Sequence, residues 1–553
     1  MTFLNLPPLT LGLAGLTTTL VLLRWFAKRY PDIHPFALYN QTSISPVRKP
    51  DESAVHRANM TPFTYPLISG LNIREGHTFR DGDLRDVWGL AERGDLTVVD
   101  SVSGEKTVLG YAALTPKVDA IAAALLKFAK AASSSPVKVA VYLPNSLANF
   151  LISSACANHG FAVVLVPLTK DMRELSAHLA ATLPDVLVCN AGTIDFLSLE
   201  LPASITSVVL VPQNFDLSDA VKGGVDAETK DVAEWTEQLE TKLAGRGVGV
   251  HTLSEMIGYK AEEKVDVLDG DAFARLPAFV ATYTTPDGKM QAVEFAHHNI
   301  VSAVAAQLRS LPQHEQLRTT DVVAPLDSWH ELYNRIMLLT GMAAGAHIVL
   351  CGTSGGGAHD LEVVKSIQPT VLIASANTLL KMCEFAPSFH TGFKLRRALG
   401  LLAQGSLPSA VIPEYASLRI LYTHEDQPPL LTSAFPRASS TPATLPKETS
   451  LTSTQLTQIR ALLGARVIYA LTHAQVAGAI CQTHLLDYRD LGKVRNFGSV
   501  MPSLEAMVRD VETLKGADRR GQLFVRGPAA IGRDWVATDI VGEWGEDGCF
   551  REL

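Results

Sequence analysis

The sequence predicts an α/β fold: parallel sheets flanked by helices, a small β-rich subdomain at the C-terminal end, and a membrane-spanning helix at the N-terminus. Three observations predict it. Short runs of consecutive β-branched residues alternate with helical segments through most of the chain, the pattern of strands buried on both faces. From Gly498 the pattern changes to short alternating strands and turns, such as EAMVRDV and GQLFVRGP. The first 23 residues carry no charged side chain and are followed by Arg24, Trp25, Phe26, Lys28, Arg29 and Tyr30.

The elements follow in order. Pro7–Leu23 (PPLTLGLAGLTTTLVLL) reads as a short spanning helix with an aromatic and basic collar. Positive charge on its C-terminal side predicts that the rest of the chain faces the cytosol. Residues 31–79, rich in Pro, Ser and Asn, read as an irregular linker or N-terminal extension. Val118–Ala131 is an amphipathic helix, broken by SSSP. VKVAVYLP, FAVVLVPL and DVLVCN are strands, with a helix ending at Gly160 between the first two. VVAPL, HIVLCG and PTVLIAS continue the strand series. Thr432–Thr454 is a Ser/Thr/Pro-rich surface loop, and QIRALLGARVIYAL returns to helix and strand. The predicted organisation is therefore an anchor at 1–30, an extension at 31–79, α/β subdomains at 80–497 and a β-rich subdomain at 498–553.

Composition narrows the function classes. The chain of 553 residues is long enough for two or more subdomains. Its net charge of −8 gives no field that favours nucleic acid. The six cysteines are scattered without CxxC spacing, which argues against a zinc site and for buried thiols. No GxSxG elbow supports a serine hydrolase. The Gly-rich stretch CGTSGGGAHD (351–360) lacks the spacing of either nucleotide-binding glycine motif and reads as a loop.

Six segments carry a family resemblance in a fixed order: VKVAVYLPNSLANFLISSACANHGFAVVLVPL (137–168), SIQPTVLIASANTLLKM (366–382), IRALLGARVIYALTHAQ (459–475), FGSVMPSLEAMVRDVE (497–512), GQLFVRGP (521–528) and DIVGEWGEDGCF (539–550). Together they resemble the adenylate-forming superfamily of acyl-CoA synthetases, luciferases and nonribosomal adenylation domains, and most of all long-chain fatty-acyl-CoA synthetases. The resemblance spans roughly residues 80–550.

It gives TYTTPDGKMQAVEFAHHN (282–299) a place, where the family carries its phosphate-gripping loop and a trailing His and Asn. Matched from that tail, Thr284 stands for the family Ser and Gly288 is kept. Pro286 and Asp287 replace two Thr, and Gln291 replaces a Lys. Pro286 removes a backbone donor, Asp287 carries charge of the wrong sign, and Gln291 hydrogen bonds without charge. The neighbouring cation Lys289 falls at a variable, exposed position of the motif.

Other motif positions are altered as well. Thr472 matches the phosphate-side Thr, while the magnesium carboxylate is replaced by His473, a poor ligand for a hard cation. The adenine-side glycines are matched to Ala403-Gln404-Gly405, and Asp539 is the candidate ribose contact. His330 falls near a family residue bordering the acyl pocket. The resemblance thus nominates Thr284, Gly288, Gln291, Thr472 and Asp539 as cofactor contacts and His330 as a pocket residue. It nominates no catalytic residue and no metal ligand, and the family's C-terminal lid domain has no counterpart before Leu553.

Two functions follow as expectations. The first is a membrane-anchored, catalytically impaired relative that binds fatty acid or acyl-CoA, or scaffolds a protein partner. The second is an active long-chain fatty acid–CoA ligase that uses ATP, Mg²⁺ and CoA with a lid supplied from elsewhere. By analogy with anchored synthetases the expected membrane is the endoplasmic reticulum.

Overall fold

The computed structural model describes residues 8–26, 30–71, 80–99, 106–129, 136–196, 198–212, 230–243, 246–259, 270–284, 289–351, 358–384, 391–425, 451–509 and 520–552. Gly352–Gly357 of the Gly-rich stretch and residues 426–450 of the Ser/Thr/Pro-rich stretch lie outside them.

Among the described residues the chain builds two sheets. The seven-stranded sheet runs Met290–Ala296, Pro277–Thr284, Ala162–Leu165, Lys138–Tyr142, Val186–Asn190, Ser207–Val211, Gly249–Thr252. All pairings are parallel except the hairpin of Pro277–Thr284 with Met290–Ala296 at one edge. Its four central strands, Ala162–Leu165, Lys138–Tyr142, Val186–Asn190 and Ser207–Val211, are covered on both faces, as their β-branched runs require. Val139 and Val141 point into the main core, while Ala140 and Tyr142 pack with Leu175, Leu179, Val232 and Leu239 from helices on the other side.

The second sheet is continuous across fifteen strands. One half is parallel, in the order Arg466–Thr472, Ile420–His424, Val371–Ile373, Val322–Pro325, His347–Leu350, Asp95–Val99, and is closed at its edge by the antiparallel strand Lys106–Gly110. The other half is antiparallel and built from strands between Ala479 and Glu552. The segment read as an irregular extension supplies two short strands to its edge, Thr42–Ile44 and His56–Ala58. His56 stacks on Trp544 with ring centroids 3.9 Å apart.

Helices Leu84–Ala91, Tyr111–Ala129, Leu147–His159, His297–Ser310 and Leu332–Ala343 share one apolar core with both sheets. Gly464 shows how tightly helix hands over to strand. It ends helix Ser453–Leu463 at φ 63°, and a β-carbon there would stand 2.2 Å from the Ala410 backbone nitrogen, so the turn needs glycine.

Between the sheets the helical layer holds a polar clasp. Asn145 Nδ2 donates to the Asp327 carbonyl at 2.7 Å, and Asn145 Oδ1 accepts from the Trp329 amide at 3.0 Å. The buried side chain thus ties the loop after Val322–Pro325 to the loop after Lys138–Tyr142. Cys156, Cys189, Cys351, Cys481 and Cys549 are buried and unbridged. Burial pushes the Cys156 and Cys189 thiols up to about 12, which leaves them without thiolate reactivity.

The predicted membrane span is corrected. Pro8–Phe26 is helical over 19 residues, but no helix among the described residues is long and apolar enough to cross a membrane. The reason is length and dilution. Before Arg24 the apolar stretch reaches about 24 Å at roughly 1.5 Å per residue, short of a hydrocarbon core of about 30 Å. Gly12, Gly15 and Thr17–Thr19 dilute it further, the three hydroxyls bonding back to carbonyls of their own helix. The anchored cytosolic localisation and the endoplasmic reticulum membrane rested on that span and fall with it.

Candidate functional site

Open α/β sheets bind ligands at the C-terminal ends of their parallel strands. Here those ends are Pro325, Ile373, His424 and Thr472, and the Pro277–Ala296 hairpin of the other sheet meets them.

The hairpin register places Tyr283 opposite Gln291 and Thr284 opposite Met290. The Tyr283 hydroxyl donates to Gln291 Oε1 at 2.9 Å and accepts from Gln475 Nε2 at 3.2 Å. The Gln475 backbone N–H donates to His473 Nδ1 at 3.2 Å, and His473 Nε2 lies 3.3 Å from Asp539 Oδ1. The first contact fixes the tautomer: an Nδ1 that accepts leaves the proton on Nε2, facing the carboxylate. That hydrogen bond holds the Asp539 carboxyl below its ordinary value.

The polar chain therefore runs from Gln291 through Tyr283, Gln475 and His473 to Asp539. Two nominated residues, Gln291 and Asp539, are its ends. Thr472 closes the strand next to His473. Thr284 is the last residue of its strand, Lys289 on the far side of the hairpin tip is exposed, and Gly288 lies outside the described residues with Pro286 and Asp287.

The match of Ala403-Gln404-Gly405 to the adenine-side glycines is corrected by topology. Those residues end helix Thr391–Ala403, and the Gly405 carbonyl accepts from the Asp32 amide at 2.8 Å. The strand parallel to Arg466–Thr472 is Ile420–His424, so Thr423 and His424 stand at the crevice. His424 is 3% exposed, lies 2.8 Å through Nε2 from Glu331 Oε2, and packs on Tyr333 at 4.8 Å. A bulky ring thus occupies a position where a glycine would bring the backbone close to a ligand.

His330 sits in the loop that the Asn145 clasp holds. Its Nδ1 is 2.6 Å from Ser328 Oγ, and burial pulls the imidazole down to about 3. In the same loop Asp327 accepts from Thr378 Oγ1 at 3.0 Å and from the Ser375 amide. Burial raises its carboxyl despite those bonds.

The position matched to the family's magnesium carboxylate supplies no oxygen ligand. A hard cation needs oxygen ligands, and the side chain at the carboxylate position is an imidazole engaged with Asp539. Among the described residues no group of three or more His, Cys, Asp or Glu is placed to hold a metal ion.

Sequence reasoning missed Tyr283, Gln475 and His424. Tyr283 and Gln475 lie inside the family-like segments, but strand register joins Tyr283 to Gln291 and only the packing of the two sheets brings Gln475 to it. Arg335 was also passed over, although it is the lone charge in LYNRIMLLTGMAAGAHIVLCG.

Comparison with known proteins agrees with the architecture. A family model described as AMP-binding enzyme matches residues 88–533. An uncharacterized protein of Saccharomyces cerevisiae is 22% identical over 567 aligned positions, covering 94% of this chain and 93% of its own. Among solved structures, ATP-bound MatB from Rhodopseudomonas palustris is 14% identical with a TM-score of 0.56, covering 85% of this chain and 78% of that one. The luciferase-like enzyme of the nonluminescent mealworm Zophobas morio gives 14% identity and a TM-score of 0.57, covering 88% of this chain and 98% of that one. The N-terminal subdomain of Klebsiella oxytoca NpsA, in complex with 3-hydroxybenzoyl-AMSN, gives 14% and 0.55, with 86% and 100% covered. At these identities the structural likeness establishes the fold.

Proposed function

We propose a function from one established premise: the chain belongs to the AMP-binding enzyme family. Within that family the protein is a non-catalytic relative. It acts by binding an acyl ligand, or by scaffolding a partner, and not by forming an adenylate.

The observation that supports this reading is the His473–Asp539 contact. In the family resemblance these two positions serve magnesium and ribose. Here each is the other's partner, and the Tyr283–Gln475 bridge locks the hairpin to the same pair. Adenylation also needs positive charge opposite the phosphoryl group in flight, and the motif position for the loop cation holds Gln291. A nucleotide would have to break this polar chain before gaining any contact, and would meet no cation at that position.

The test is calorimetry of the full chain with MgATP, with and without a long-chain fatty acid. The expected result is no saturable heat up to about 1 mM ATP, an affinity weaker than roughly 4 kcal/mol. Micromolar binding, or acid-dependent release of pyrophosphate, would overturn the reading in favour of an active acid–CoA ligase.

A further inference from the structure

Every described side chain of helix Pro8–Phe26 is exposed, and most of them are apolar. Leu13, Leu16 and Leu20 stand 61%, 60% and 56% open, with Val21 at 65%. The helix has little polar chemistry to set against that. No charge precedes Arg24, and the hydroxyls of Thr17, Thr18 and Thr19 donate to the carbonyls of Leu13, Ala14 and Gly15 at 2.9, 2.6 and 2.8 Å. A helix this apolar and this short gains its stability from whatever covers it. Its length falls short of a bilayer span.

The base of the helix is fixed. Four residues past Phe26, the Tyr30 carbonyl accepts from Ser406 Oγ at 3.0 Å. The Asp32 amide donates to the Gly405 carbonyl at 2.8 Å, and Asp32 Oδ2 accepts from the Tyr488 hydroxyl at 2.9 Å. The helix is therefore presented from a set point on the surface.

The leucine spacing points to the cover. Leu9, Leu13, Leu16, Leu20 and Leu23 follow one another in steps of four, three, four and three residues, the a/d spacing that lays one row of leucines along a single seam. Thr17, Thr18 and Thr19 fill the positions between Leu16 and Leu20, at the sides and back of that seam. A helix facing hydrocarbon on every side needs no such period, whereas a seam between helices does. The row is also self-complementary, as a two-fold contact between copies requires. The chain carries a net charge of −8, but none of its charged side chains lies in residues 1–23, so two copies meet there with the least repulsion.

We propose that helix Pro8–Phe26 packs along its leucine row against the same helix of a second copy of this chain. The helix of 19 residues is about 28 Å long and about 10–12 Å wide, so the seam covers about 300 Å² on each copy. Both copies together bury about half of the roughly 1,200 Å² at which stable interfaces begin. The association is therefore reversible and concentration-dependent. This self-association goes beyond the binding reading above and does not depend on it.

The experiment is sedimentation velocity of the full chain between about 1 and 100 µM. A monomer is expected at the low end, with a discrete dimer growing in toward the high end. Leu13→Lys with Leu20→Lys sets charge in the seam and is expected to weaken association at least about tenfold. Leu11→Lys with Thr18→Lys adds the same charge on the opposite face and is expected to leave association within about twofold. Urea unfolding of both variants is expected to match the parent, since the helix takes no part in the apolar core. A monomer throughout the range, equal loss in both variants, a dimer that survives Leu13→Lys with Leu20→Lys, or aggregates without a discrete dimer each overturns the proposal. A chain that stays monomeric but sediments with phosphatidylcholine–phosphatidylserine vesicles overturns it in favour of a lipid surface as the cover.

Discussion

His473 Nε2 faces Asp539 Oδ1 across 3.3 Å, joining the end of the parallel half-sheet to a strand of the antiparallel half. The Asp539 side chain is 65% exposed, so the contact adds little to stability. Asp539→Ala is expected to cost less than about 1 kcal/mol in urea unfolding. Its consequence lies in binding. Replacing His473→Glu and Gln291→Lys together supplies an oxygen ligand and a cation, and is expected to raise MgATP affinity at least about tenfold by calorimetry. An unchanged affinity would mean that the pair is not what keeps the nucleotide out.

Two buried histidines set the acid limb of stability. Burial pulls His297 down to about 4 and His330 to about 3. Each imidazole is thus neutral in the fold where the unfolded chain, with a pKa near 6.5, takes up a proton. The unfolded state binds more protons in that window, so stability is full above pH 6.5 and falls as pH drops toward 4. By pH 5 the loss is about 2 kcal/mol from each. Urea unfolding at pH 7 and pH 5 measures it, and His297→Phe is expected to flatten the slope. A fold that gains stability on acidification would contradict the assignment.

Asp487 works on a lower window. Burial alone would raise its carboxyl, but the Arg489 hydrogen bonds, at 2.8 Å to Oδ1 and 2.6 Å to Oδ2, outweigh it and hold the pKa below the ordinary value. Its contribution is present above the unfolded carboxyl pKa and is lost as pH falls through the depressed folded value. Asp487→Asn leaves Arg489 half-paired beside Asp547 and is expected to cost about 3–5 kcal/mol at pH 7, read as a fall in the urea midpoint.

The Asn145 clasp holds two loops of the helical layer together. Asn145→Ala strands the Asp327 carbonyl and the Trp329 amide, at an expected cost of about 1–3 kcal/mol. Asn145→Asp keeps the acceptor at the Trp329 amide but sets a buried carboxylate against the Asp327 carbonyl, and is expected to cost at least as much as Asn145→Ala.

The parallel strands were legible because strands covered on both faces must be continuously apolar, and VKVAVY, AVVLV and TVLIA show it. The Thr42–Ile44 and His56–Ala58 strands were not, since three residues are too few to display a period. At the site, Gln291, Thr472 and Asp539 could be nominated from motif position, but the residues that join them depend on cross-strand register. Tyr283 meets Gln291 only because the hairpin pairs them. The adenine-side position was misplaced because LLAQG offers a glycine while ILYTH does not, and only strand order identifies the latter as the neighbour of Arg466–Thr472. The N-terminal helix was read from its lack of charge, which says less about spanning than its length does.

The edge of the antiparallel half-sheet is made from opposite ends of the chain. Arg57 pairs with Glu505, 448 residues further on, and the Gln41 amide donates to the Asp547 carbonyl. During translation at about 5–20 residues per second, His56–Ala58 waits roughly 20–90 s for Glu505–Arg509 to be synthesised. For that interval the growing chain presents one open edge of His56–Ala58 and a His56 ring without Trp544 to stack on. This half of the molecule therefore closes only after the chain has been synthesised to Asp547, and chaperones have their longest opportunity to engage the nascent chain there.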